Sequence, residues 1–216
     1  MARVSPAFAP ALALALLLGF GDAQAFLATG GFFAAFMSGN TTRLATGFAG
    51  HNWTELQFGL ALVLSFLVGC IFAEVAARSQ PRAREWPGMA AAAVLLAVAA
   101  LLVSFAPARF GPLPLVAAMG ALHTAARSGA AGSAHPGYPT DALVRLGQGL
   151  ADALMGVAPR GAWVPHLLIW AGFAVGAALG AMAFMREARD ALWFAALAVV
   201  AFAVWAKLRR NIGPNG

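Results

Sequence analysis

Residues 37–50 read MSGNTTRLATGFAG, and residues 139–152 read PTDALVRLGQGLAD. Set one over the other, Arg43 falls on Arg145, Leu44 on Leu146, Gly47 on Gly149 and Ala49 on Ala151, with Ser38 over Thr140. Each stretch interrupts a long apolar run. Each is also followed by a further match: SFLVGCIFA (65–73) aligns with GFAVGAALG (172–180), so Phe66 meets Phe173, Val68 meets Val175 and Gly69 meets Gly176. Two matched segments in the same order divide the chain into halves, 1–108 and 109–216, within one integral membrane domain. Each half holds three apolar spans and one polar helix between the first and second. An odd number of spans per half sets the halves in opposite orientations, an inverted repeat of the kind that secondary transporters use, with the solute site near the repeat interface.

Composition demands a membrane. The chain is 61% hydrophobic and 10% charged, whereas soluble domains average about 45–50% apolar and about 25% charged residues. The apolar residues come in continuous runs, which indicates helices and excludes an alternating outer-membrane barrel. Candidate spans are 7–30, 57–77, 87–106, 112–130, 163–185 and 190–206. The expected fold is all-α: a polytopic helical membrane protein of about six transmembrane helices in two three-span inverted repeats. A short polar re-entrant or interfacial helix is expected in 37–56 and another in 133–161. The first run imitates a signal peptide, with Ala23-Gln24-Ala25 as the cleavage site. Its apolar pattern continues to Phe36, so it is read as a retained span.

The charges support this count. Six spans with both termini cytoplasmic leave only Arg43, Arg109, Arg186 and Arg189 of the 14 basic residues outside, as the positive-inside rule requires. Eight spans would move the Arg78–Arg84 cluster outside. The net charge of +6 therefore reads as topology, and no nucleic-acid partner is expected. Cys70, the sole cysteine, lies in an apolar run and reads as a packing residue; neither a metal site nor a cofactor is implied. Small residues at Ser65, Gly69 and Ala73, and at Gly172, Gly176 and Gly180, recur every fourth position. That spacing sets them on one helix face, where backbones can approach closely.

The run GFGDAQAFLATGGFFAAFMSGNTTRLATG (19–47) resembles the YoaK-type family of bacterial inner-membrane proteins, a domain-of-unknown-function family. Gly21-Asp22-Ala23, Phe26, Gly30-Gly31 and Met37-Ser38-Gly39-Asn40-Thr41 carry the resemblance, and DALVRLGQGLADAL (141–154) resembles the family's later motif. The chain departs from the pattern at Pro139-Thr140-Asp141, where a Thr-Gly pair is expected. The resemblance implies a multi-pass protein of the bacterial inner membrane, of duplicated build, and brings no substrate or reaction.

Polar residues inside spans are the functional candidates. Asp22 lies well within the first span, where a carboxylate costs on the order of 2.5–3.5 kcal/mol on insertion scales; it is read as a solute, ion or proton contact, as an interhelical pair with Arg43 or Arg145, or as a protonated hydrogen-bonding group. Ser38-Gly39-Asn40-Thr41 reads as a helix start whose positive end, reinforced by Arg43, meets an anionic group. Thr140 or Asp141 caps the second such helix, which carries Arg145. Gln24 and His123 follow Gly21 and Gly120 at equal spacing and read as repeat partners. Glu74 pairs with Arg78 one turn on. The structural alternative for the arginines is snorkelling to headgroups.

These readings point to a small-solute secondary transporter or permease for an anionic or polar metabolite, with substrate contacts at Asp22, Gln24, Ser38, Asn40, Thr41, Arg43, His123, Thr140, Asp141 and Arg145. Its partners are the lipid bilayer and a small solute, and a homo-oligomer is compatible with the sequence. The alternative is a non-transporting membrane partner or assembly protein. No enzyme is expected, because the sequence offers no nucleophile motif, phosphate loop or catalytic carboxylate pair, and Ser128-Gly129 and His135 form no recognisable triad.

Overall fold

The computed structural model describes residues 8–79, 85–105, 112–128, 139–157, 159–187, 193–194, 196–201 and 204. Among them the chain is helical: α1 (Phe8–Thr29), α2 (Met37–Ala49), α3 (Trp53–Ser79), α4 (Glu85–Phe105), α5 (Pro112–Ser128), α6 (Pro139–Leu154) and α7 (Val164–Glu187), with a further helical stretch at 196–201. Three segments, Phe8–Thr29, Trp53–Ser79 and Val164–Arg186, are long and apolar enough to cross a membrane. A shorter apolar stretch, Met89–Leu102, lies in α4.

Local chemistry sets the helix ends. At the end of α1, Gly30 takes φ 68° and the Gly31 N–H donates to Phe26 O at 2.9 Å. At the end of α2, His51 takes φ 56° while the Asn52 N–H donates to Gly47 O at 2.8 Å. At the end of α6, Gly156 takes φ 71° and the Val157 N–H reaches Asp152 O at 2.9 Å. Each is a left-handed terminator in which a backbone N–H wraps onto an orphan carbonyl of the last turn. Asn52 then starts α3: its Oδ1 accepts from the Glu55 N–H at 3.2 Å, and its Nδ2 donates to Glu55 Oε2 at 3.2 Å. That cap sets the start of α3 at Trp53, four residues before the expected span.

The helices pack as two parallel pairs. In α1 and α7, Cβ atoms added at Gly172, Gly176 and Gly180 would meet Leu12, Leu16 and Phe20 in turn, so both helices run the same way. In α3 and α5, the Ser65 hydroxyl donates to Leu113 O at 2.6 Å, Gly69 lies on the Ala117 carbonyl, and Cys70 Sγ contacts Gly120 O at 3.4 Å. These helices also run together, but opposite to the first pair, because α3 starts beside the end of α1. The pairs meet where Gly21 abuts Met119. Leu14, Leu18, Leu62, Leu96, Val116, Met119 and Leu122 fill the centre, joined by Ala196 and Val199.

α2 packs on the first turns of α3, and α6 on α7. Ala142 of α6 clusters with Ala11, Ala15 and Ile169, at the end of the molecule where α1 begins; α2 sits where α1 ends. The expected ion pair at the end of α3 forms, with Arg78 Nε 2.9 Å from Glu74 Oε1.

Close backbone approach predicts a sharp contrast between glycines. In Gly69→Ala the new methyl enters the Ala117 carbonyl, which forces α3 and α5 apart and costs about 1–3 kcal/mol. In Gly147→Ala the methyl meets nothing within 4 Å, and stability holds or rises by up to about 1 kcal/mol through helix propensity. Thermal unfolding of both variants in detergent measures the difference.

Candidate functional site

The segment joining α1 to α2 folds back along α1. Thr29 starts the reversal: its hydroxyl donates to Ala25 O at 2.6 Å and accepts from the Phe32 N–H at 3.0 Å. The chain then descends until the Ala35 N–H donates to Asp22 Oδ1 at 2.6 Å. Asp22 precedes the end of α1 by about two helical turns, or roughly 10 Å, so α2 starts below that end and climbs past it.

Side chains stand in for the pairing that a turned-in backbone lacks. Asn40 accepts from the Phe33 N–H (2.9 Å) and donates to Phe33 O (2.7 Å), occupying both polar groups of one residue as a neighbouring strand would. Backbone at membrane depth is tolerated only when such groups are satisfied inside the protein. Rings pack around the descent, Phe26 on Phe33 at 5.2 Å, Phe33 on Phe36 at 5.3 Å and Phe32 on Phe58 at 5.1 Å between centroids.

Arg43 locks the outer end of this hairpin. Its Nε and Nη2 donate to Glu55 Oε1 at 2.9 and 2.7 Å, its Nη1 donates to Gly30 O at 3.2 Å, and its guanidinium lies 4.1 Å from the Phe32 ring centroid. One side chain thus ties the end of α1, the descending loop, α2 and the start of α3.

The expected site residues divide into separate groups. Asp22, Gln24 and Asn40 are buried. Gln24 Nε2 donates to Gly180 O at 2.6 Å and so tacks α1 to α7. Ser38 and Thr41 are exposed on α2, where the Thr41 hydroxyl donates back to Met37 O at 2.8 Å. His123 Nδ1 lies 2.9 Å from Met119 O, and its ring packs on Phe66 at 5.5 Å. Thr140, Asp141 and Arg145 are exposed on α6.

Several expectations change. Arg43 and Arg145 do not share a cavity: one lies at Gly30, the other a turn from Ala142 near Ala15, roughly 20 Å away along α1. Asp22 pairs with backbone at Ala35, and Arg43 is taken up by Glu55. The α2 N-cap is Phe36, with no side-chain cap bond, so Ser38, Asn40 and Thr41 lie inside the helix and Asn40 caps the loop instead. α6 starts at Pro139, which places Thr140 and Asp141 within its first turn. Gly19 lies on the Phe173 carbonyl and Gly120 on the Phe66 carbonyl; if Phe66 and Phe173 are matched, the sequence counterpart of His123 is Asp22 rather than Gln24. Glu55 and Phe32 were not among the expected residues. The Asn52-x-x-Glu55 cap is a readable signal for Glu55, whereas nothing in the sequence distinguishes Phe32 from its apolar neighbours.

An apolar, all-helical chain with membrane-length helices and a loop satisfied from within defines a helical membrane protein. The chain belongs to the DUF1275 family, whose model, described as a protein of unknown function, matches residues 10–205. It is similar to a UPF0700 transmembrane protein of Rhizobium meliloti (strain 1021), at 32% identity over 203 residues that cover 92% of this chain and 85% of that one. No solved structure matches. The family resemblance carried by Gly21-Asp22-Ala23 and Met37–Thr41 holds.

The unequal surroundings of the two arginines predict unequal costs. Arg43→Ala removes the charge-assisted bonds to Glu55 and the bond to Gly30, and lowers stability by about 1.5–3 kcal/mol. Arg145→Ala stays within about 0.5 kcal/mol of the parent protein, as exposed substitutions do. Unfolding of the two variants in the same detergent gives the comparison.

Proposed function

We propose that the chain is a small-solute secondary transporter of the bacterial inner membrane, with six spans, both termini cytoplasmic, and two inverted halves, acting as a permease rather than an enzyme. The reading rests chiefly on one observation: a buried carboxylate, Asp22, accepts from the backbone of a loop that dips alongside it. Discontinuous helices with polar backbone at depth are how transporters of inverted-repeat build make their sites. A carboxylate there is able to exchange a proton or a cation when the loop moves. The contact of Gly19 with the Phe173 carbonyl resembles that of Gly120 with the Phe66 carbonyl, and the contact of Gly69 with Ala117 resembles that of Gly176 with Leu16, which supports the repeat.

With Arg43 neutralised and Arg145 at the other end, the site reads as one for a polar rather than an anionic solute, centred on Asp22 and the Phe33–Ala35 backbone. The separation of the arginines is also the observation that favours the second reading, a non-transporting partner or assembly protein.

Proteoliposome uptake across a panel of small polar solutes tests the proposal. Asp22→Asn keeps an acceptor for the Ala35 N–H, so the fold persists while uptake drops at least about tenfold, as expected when an intramembrane ionisable group is lost. Normal uptake by Asp22→Asn removes Asp22 from the mechanism. Failure of every solute to move, with one partner copurifying in equal amount, establishes the second reading.

A further inference from the structure

We infer that the molecule opens along the seam between its two helix pairs, baring Asp22, and that Arg43 is the latch that holds this seam shut. The inference rests on the transport reading for the role of Asp22, but the movement is tested without uptake. The joints within each pair differ in kind from those between them. Within a pair, backbone lies on backbone: Gly19 on the Phe173 carbonyl and Gly176 on the Leu16 carbonyl join α1 to α7, and Gly69 and Gly120 join α3 to α5. The descending loop and α2 ride with α3. Leu44 lies on Gly59, and Gly47 on the Leu56 backbone. Phe32 packs on Phe58, and Asn40 holds both polar groups of Phe33.

Between the pairs, side chains make the joins. The Met119 thioether, a flexible and adaptable group, fills the space at Gly21. Asp22 accepts from the Ala35 N–H, the Thr29 hydroxyl accepts from the Phe32 N–H, and Phe26 packs on Phe33. Side-chain joints part more readily than interlocked backbones, so the seam is where rigid-body rocking of one bundle against another meets least resistance. The chain crosses from one body to the other at Gly30-Gly31, where φ is 68° and 118°. Glycine adopts such angles without steric cost, and hinges are end-of-element residues that absorb a change in them. Arg43 bridges this crossing: it is carried on α2 and held by Glu55 of α3, while its Nη1 donates to Gly30 O at the end of α1. The Arg43 side chain is 33% exposed and Asp22 only 4%, so the latch meets solvent and the carboxylate beneath the loop does not.

The test is the rate at which a water-soluble thiol reagent modifies the purified full chain in detergent. Ala35, buried against Asp22, is replaced by cysteine in a Cys70→Ala background. Native Cys70, which contacts Gly120 O inside the α3–α5 pair, serves in the parent chain as the probe of general loosening. Arg43→Gln is expected to speed modification at position 35 by about tenfold or more, as loss of charge-assisted bonds raises the open population. Glu55→Gln is expected to speed it too, by a smaller factor, and keeps the inference testable if Arg43→Gln folds poorly. Neither change is expected to alter the rate at Cys70, and Arg145→Gln is expected to leave position 35 as it was. An unchanged rate at position 35 in both latch variants overturns the inference. So does an equal rise at Cys70, which marks unfolding, or an equal rise with Arg145→Gln. If position 35 responds as expected while no solute moves in proteoliposomes, the opening stands and the transport reading falls.

Discussion

Helices in a bilayer gain nothing by hiding apolar surface from lipid, so they associate through close van der Waals contact and polar bonds between backbones. In this chain that constraint falls on a few glycines. Gly69 and Gly120 let α3 and α5 touch backbone to backbone; Gly19, Gly176 and Gly180 do the same for α1 and α7. These contacts fix the relative height of the helices, and every polar feature depends on that height. Gln24 finds the Gly180 carbonyl, and Ser65 the Leu113 carbonyl, because glycine has brought the carbonyls within reach.

The second constraint is the satisfaction of polar groups. A loop that dips along α1 exposes peptide groups where water is scarce. Asp22, Thr29 and Asn40 each answer part of that need. The arrangement explains why buried polar side chains gather around the descent, and why Arg43 is accompanied by an acid, a carbonyl and an aromatic face. The same bonds that stabilise the loop also tether it to one ionisable group, Asp22.

Much of this was legible in the sequence. Apolar runs located the long helices to within a few residues, and the polar breaks at 37–56 and 133–161 did contain short helices. α3 begins before its apolar run because Asn52 and Glu55 cap it within what reads as a loop. The site was harder to read. Two arginines at matched sequence positions suggest one shared cavity, yet α2 lies where α1 ends and α6 where α1 begins. The Arg43–Glu55 pair spans a helix end, a turn and a new helix, a separation that no helical periodicity reveals. Counting from Gly21 and Gly120 pairs Gln24 with His123, whereas the glycine contacts, taken with the Phe66–Phe173 match, pair Asp22 with His123. Which glycine touches which carbonyl is a tertiary fact that no count along the chain supplies.

The two halves differ most at their polar helices. Arg43 is taken up by Glu55 and α2 is clamped, whereas Arg145 stays exposed on α6. The central claim is that α2 and α6 are counterparts on opposite faces of the membrane. Thiol labelling tests it directly, because Cys70 is the sole cysteine and a Cys70→Ala background is free of thiols. With Thr46→Cys or Gln148→Cys in that background, a membrane-impermeant reagent should label position 46 only from outside the cytoplasmic membrane and position 148 only in inside-out vesicles. Labelling of both from the same side would contradict the account.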